Sequence, residues 1–122
     1  MNIQNWHSKK QITIEFPDKQ FSHYKRKFNL TSEQEISANI LKDIFQSIRN
    51  DYLTGTISMD DLSMLCNYLF FVDKRNNSNL LKIDPNLHNV LSVGMELSYY
   101  SRQKDSQSLQ KLAIFLEDVL TY

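Results

Sequence analysis

Between residues 36 and 52 the chain repeats its apolar side chains with the period of an α-helix. Ile36, Ile40, Leu41, Ile44, Phe45, Ile48 and Tyr52 fall on one face. A strand alternates its side chains with a period of two and would split this set between its faces. The stripe therefore commits the segment to an amphipathic helix that must bury one side against other elements. Upstream, LTSEQE sets Ser32 three residues before Glu35, the spacing of a capping box, and the helix is predicted to start there. Downstream, Thr54-Gly55 ends it, with glycine supplying the left-handed residue that commonly closes a helix.

The same logic extends along the chain. Ser58, with Asp61 three residues on and Asp60 beside it, is placed to cap a second helix whose apolar face carries Leu62, Leu65, Tyr68 or Leu69, and Val72. DKRNNSN then reads as the main loop. Asp84-Pro85 opens a third helix, an N-cap followed by proline in the first turn, running through Leu87, Val90, Leu91, Gly94 and Leu97 to about Tyr100. After a loop at RQKDSQ, Ser106 or Ser108 starts the last helix, with Leu109, Leu112, Ala113, Leu116, Val119 and Leu120 facing inward. Ile40, Ile44, Leu65, Leu91, Leu112 and Leu116 are predicted to share one core. Only two glycines and two prolines occur in 122 residues, so the chain has few breakers and favours long helices.

The first 30 residues follow a different pattern. In QITIEF, Ile12, Ile14 and Phe16 alternate with polar residues, the period of a strand, until Pro17 ends it; with no partner strand in view it is expected to be an extended arm lying on the helices or an edge that pairs elsewhere. Phe21, Tyr24 and Phe28 then mark a short basic helix with an aromatic stripe. The expected architecture is all-α: an antiparallel bundle of four main helices with a short N-terminal helix and an extended N-terminal arm. It is read as a single domain, with residues 1–30 as arm and basic helix and residues 31–122 as bundle.

NDYLTGTISMDDL, residues 50–62, resembles half of a calcium loop and tests whether metal chemistry is present. With Gly55 at the sixth position of such a loop, Asn50 stands first, Tyr52 third, Thr54 fifth and Asp61 twelfth. Tyrosine offers no carboxylate at the third position, and aspartate is a methylene short of the bidentate glutamate at the twelfth. The stripe through Ile48 and Tyr52 also needs residues 50–53 to be helical. The segment is a helix–turn–helix connection, and no metal or other cofactor is expected. His7, His23 and His88 are scattered, Cys66 has no adjacent base, and Asp60-Asp61 is explained by its capping position, so no catalytic residue is assigned and the chain is not read as an enzyme.

The charge is balanced overall and uneven along the chain. Lysine plus arginine equals aspartate plus glutamate at 14 each, which sets up no overall field for nucleic acid or a membrane. Residues 1–28 nevertheless hold six bases against two acids, whereas residues 31–62 hold Glu33, Glu35, Asp43, Asp51, Asp60 and Asp61 against Lys42 and Arg49. This run reads either as a set of solvated helix faces or as an acidic surface that meets a basic partner. The opening residues lack the apolar core of a signal peptide, and the longest apolar run, residues 68–72, is too short to span a bilayer, so a cytoplasmic protein is expected.

YLTGTISMDDLSMLCNYLFF (52–71) and LSVGMELSYYSRQKDSQSLQKLAIFLEDVL (91–120), with their hydrophobic pattern and G-x-I-S turn, resemble segments of small all-helical bacterial immunity proteins. Those proteins are the antidotes of colicin-type and contact-dependent growth-inhibition toxins. The resemblance implies a cytoplasmic protein that binds a cognate toxin domain, often a nuclease, and covers its active site without catalysis of its own. The family shares no catalytic motif, so no residue role is carried over. The chain's own acids and aromatics supply the candidates for partner binding: Glu33, Asp43, Asp51 and Asp60, with Tyr99 and Tyr100 as anchors. The alternative is a helical adaptor or a nucleic-acid-binding module, for which the basic helix with its aromatics is the only feature.

Overall fold

The computed structural model describes residues 19–122. Among them every regular element is helical and no strand occurs. The strand-like segment at residues 11–16 and the arm expected there lie outside the described residues. The chain divides into two compact units, Met1–Thr31 and Ser32–Tyr122.

In the first unit, residues 19–27 form helix α1. Phe21 and Tyr24 are buried, with ring centroids 6.3 Å apart, while Arg26 and Lys27 are exposed, as an aromatic stripe with a basic flank dictates. Asn29 closes the helix at φ 57°, and Leu30 N–H returns to the Lys25 carbonyl at 2.8 Å. Asparagine takes this left-handed position more readily than most residues.

The second unit opens with a departure from expectation. Ser32 and Glu35 do form a reciprocal capping box, yet they open only a 3₁₀ turn, Glu33–Glu35. Ile36 is extended, Ser37 accepts from Ile40 N–H at 3.4 Å, and helix α2 runs Ala38–Leu53. The extended backbone lets Ile36 bury its side chain out of line with the helix face below it. Leu41, Ile44, Phe45 and Ile48 are fully buried, whereas Ile40 sits at the edge of the stripe, half-buried.

The α2–α3 turn is as predicted. Gly55 has φ +81°, and open space surrounds the position a Cβ would take, so the backbone angle and not crowding demands glycine. Ser58 Oγ accepts from Asp61 N–H at 3.1 Å and Asp61 Oδ2 accepts from Ser58 N–H at 3.1 Å, opening helix α3, Met59–Asn76. Ser58→Ala should therefore destabilise the protein by about 1 kcal/mol; a denaturation midpoint equal to wild type would mean that this cap contributes nothing to the start of α3.

Helix α3 is the centre of the unit and packs against α2, α5 and α6. It buries Leu62, Leu65, Cys66, Leu69 and Val72 completely. It also runs through most of the predicted DKRNNSN loop, because Lys74 and Arg75 are good helix formers whose charges suit the negative end of the dipole. Asn77 at φ 53° ends it. The buried Asp73 then accepts from Leu80 N–H at 3.1 Å, nucleating a single-turn helix α4, Leu80–Ile83, that the sequence pattern did not reveal.

Asp84 caps helix α5, Pro85–Gly94, through Leu87 N–H at 3.1 Å. The long third helix expected from here is divided: Met95 and Glu96 keep right-handed dihedrals with ψ near zero, and helix α6 follows at Leu97–Gln103. Gly94 lies against Cys66, where an added Cβ would stand 2.6 Å from the sulfur, so α5 and α3 approach at glycine distance. Lys104, at φ 60°, turns the chain, and Asp105, not Ser106 or Ser108, caps helix α7, Ser106–Thr121. The Asp105 carboxylate accepts from Ser108 N–H at 2.8 Å, and these hydrogen bonds hold it below its usual titration range.

Helix α7 packs on α5 and α6 and buries Val119 completely. Tyr122, just beyond it, stacks edge-on against Phe45 of α2 and donates its hydroxyl to Asp84; burial, and then that contact, raises the phenol well above its ordinary range. Leu112 and Leu116, predicted for the core, are half-buried, and Leu109 and Ala113 are exposed. Periodicity identifies which face of α7 is apolar; the neighbours cover one side of that face and leave the other open.

Candidate partner-binding face

The four predicted acids do not share one surface. Glu33, in the 3₁₀ turn, is gripped by Arg75 from the last turn of α3: Nε and Nη2 reach Oε1 at 3.1 and 3.0 Å, and Nη2 also reaches Oε2 at 3.0 Å. Tyr68 Oη donates to the same carboxylate at 2.8 Å, and Asn76 donates to the Glu33 carbonyl. This forked, shared pairing fixes the turn to α3 and leaves Glu33 with its charge already matched. Glu35 and Asp61 are engaged in caps. Much of the acidity of residues 31–62 is thus taken up within the fold.

Asp60 stands in the first turn of α3, fifteen residues from Arg75 and so ~22 Å away along the helix axis. Its Oδ1 accepts from Ser98 Oγ of α6 at 2.6 Å. Arg102, one turn further along α6, lies 3.8 Å from it, with side chains 70% and 58% exposed. Such an exposed, long pair contributes ~0–1 kcal/mol. Asp43 is exposed on α2. Asp51, two turns on and half-buried, uses its backbone carbonyl to accept from Thr56 and Ile57 N–H in the turn.

The tyrosine pair divides its roles. Tyr100 turns inward, half-buried, with its ring 5.5 Å from Phe115 of α7 and Lys111 Nζ 5.5 Å above it. Tyr99 points outward, 58% exposed, with its ring edge-on to Tyr100 at 5.1 Å. Leu109 and Ile114 are exposed on the adjoining α7. Of the six candidate residues Tyr99 and Tyr100 touch each other, and Asp60 is tied to Ser98, the chain neighbour of Tyr99.

Between α3 and α6 at this end lies a cavity of about 180 Å³ lined by Asp60, Ser63, Met64, Asn67, Met95, Ser98 and Arg102. Ser63 Oγ accepts from Ser98 N–H at 3.3 Å, tying the start of α6 to α3. Sequence reasoning missed Ser98 and Arg102. Their four-residue spacing sets them on one helix face, but nothing local says that Asp60, 38 residues earlier, faces them.

Cys66, fully buried beneath Gly94, has its thiol pushed up to about 12 by burial, which leaves almost no thiolate for nucleophilic work near neutral pH. Among the described residues no group of three or more metal-ligating side chains converges, and no helix is long and apolar enough to cross a membrane. Residues 50–53, which a calcium loop would have to unwind, are helical. Comparison with protein-family models, curated proteins and solved structures finds no match for this chain.

Proposed function

We propose that this chain is a cytoplasmic immunity protein that binds a cognate bacterial toxin domain, a nuclease by preference, and covers its active site without catalysis of its own. In this reading α2, α3, the α5–α6 pair and α7 act as the four main helices of an antiparallel bundle that presents a preformed binding surface. The observation that supports it is an exposed Asp60 carboxylate held by Ser98 Oγ of α6, the short helix that also carries the largely exposed Tyr99 ring. Interfaces that must be tight draw most of their retained energy from aromatic anchors, while charges steer encounter and set specificity. The resemblance of residues 52–71 and 91–120 to immunity proteins supports the same reading.

Asp43 and Asp51 on α2 would supply the steering field toward a basic cleft. Reversing both to lysine should slow association by about tenfold or more and abolish protection of cells that co-express the neighbouring toxin gene. Asp43→Lys alone, at an exposed site, should slow association with no change in melting temperature. If the double variant protects as well as wild type, α2 is not part of the docking surface. If neither wild type nor variants protect, a helical adaptor becomes the better reading.

A further inference from the structure

We propose that the outward face of α7 docks on the same face of a second copy of this chain, with the two helices antiparallel. Phe115 meets Tyr100 of α6, and Val119 lies against Gly94 of α5, so these two mark the inward side of α7. At ~100° per residue the opposite side carries Gln110, Ala113, Ile114 and Glu117, at the i, i+3, i+4, i+7 spacing of one helix face. All four are exposed, and Ile114 leaves 59% of its surface in solvent.

Charge selects a second copy as the occupant. Lys111 borders the N-terminal half of this face, and Glu117 and Asp118 lie in its C-terminal half. Among the described residues no cation pairs with either acid. Lys111 Nζ lies 5.5 Å above the Tyr100 ring, a contact that orients the ammonium and leaves its charge unneutralised. A parallel copy would set like charges side by side, and a partner of one sign would repel one half of the face. An antiparallel copy brings each lysine toward the other copy's acids. A two-fold axis between Ala113 and Ile114 seats each isoleucine against the small alanine of the other copy and sets each Gln110 level with a Glu117. Lys111 and Asp118 share one edge of the helix, and across that axis they stand two residues apart in level, ~3 Å along the helix. One face of a 16-residue helix is less than an obligate dimer buries, so the association is weak and reversible.

The proposal goes beyond the toxin-binding reading and is tested on this chain alone, so the two stand or fall separately. Sedimentation velocity from micromolar to about millimolar concentration should show a monomer–dimer equilibrium. Ile114→Gln, a good helix former at an exposed site, should weaken it about tenfold or more with an unchanged melting temperature. Lys111→Glu and Asp118→Lys should each weaken self-association, because each sets like charges together in its own dimer. An equimolar mixture of these two variants restores both opposite-sign pairs and should dimerise as well as wild type. A monomer at every concentration would overturn the proposal, and so would a dimer indifferent to Ile114→Gln. Failure of the mixture to recover would overturn the antiparallel pairing on which it rests.

Discussion

Ile44→Ala should lower stability by ~2–5 kcal/mol and move the thermal midpoint down by on the order of 10 °C or more. Ile44 is fully buried in the middle of the α2 stripe, so truncation leaves a cavity that neighbours on α3 cannot fill without moving backbone. Domains of this size are typically stable by about 5–15 kcal/mol, so the loss would remove a large share of the total. The structure also orders the positions around it. Ile40→Ala, at the half-buried edge, should cost less than Ile44→Ala, and Leu109→Ala, on the open side of α7, should cost close to nothing. Equal midpoints for all three variants in a denaturant titration would mean that α2 does not bury the face described.

Gly94→Ala should also destabilise, although alanine is favoured over glycine in a helix by about 1 kcal/mol. The new methyl carbon would lie 2.6 Å from Cys66 Sγ and 3.1 Å from Cys66 Cβ, with Val119 Cγ2 at 3.5 Å behind it. A buried cysteine has little room to rotate away, and overpacking of this kind costs ~1–3 kcal/mol, which exceeds or cancels the gain in propensity. Because the collision is with one side chain, the effect should be coupled. In the double variant Gly94→Ala, Cys66→Ala the sulfur is gone, and its stability should exceed the sum of the two single changes. Strict additivity in the cycle would mean that α5 and α3 are not in contact at glycine distance.

How much of this was legible beforehand depends on the range of each interaction. The Ser58–Asp61 cap, the left-handed Gly55 and the Asp84-Pro85 start each depend on residues within three or four positions, and each is found as read. Gly94 was legible as a close approach because glycine inside a helix needs a reason, though the cysteine it meets was not. The capping box at Ser32 is real, yet the extended Ile36 limits it to one 3₁₀ turn, a choice made by burial of a side chain and not by the cap. Helix α4 was hidden because its start depends on the buried Asp73 seven residues before Leu80.

The candidate site was less legible, for a related reason. Residue type and spacing indicate that Glu33 and Asp60 are acidic and lie off the apolar stripes, but not that Arg75, 42 positions away, neutralises one, or that Ser98, 38 positions away, positions the other. Charge counted along a sequence is an upper bound on the charge a surface offers. Once caps and internal pairs are subtracted, the exposed Asp43 and the anchored Asp60 become the more informative acids.

The central claim, that the chain neutralises a toxin by occupying it, is tested most directly by titration calorimetry of this chain against the purified product of any toxin gene found adjacent to its own. A nuclease that must be silenced in the presence of its substrate requires nanomolar affinity or better, ~12 kcal/mol. The account predicts one saturable complex of that strength, with toxin activity abolished when the two are equimolar. No saturable heat, or a complex in which the toxin still cleaves its substrate, would contradict it.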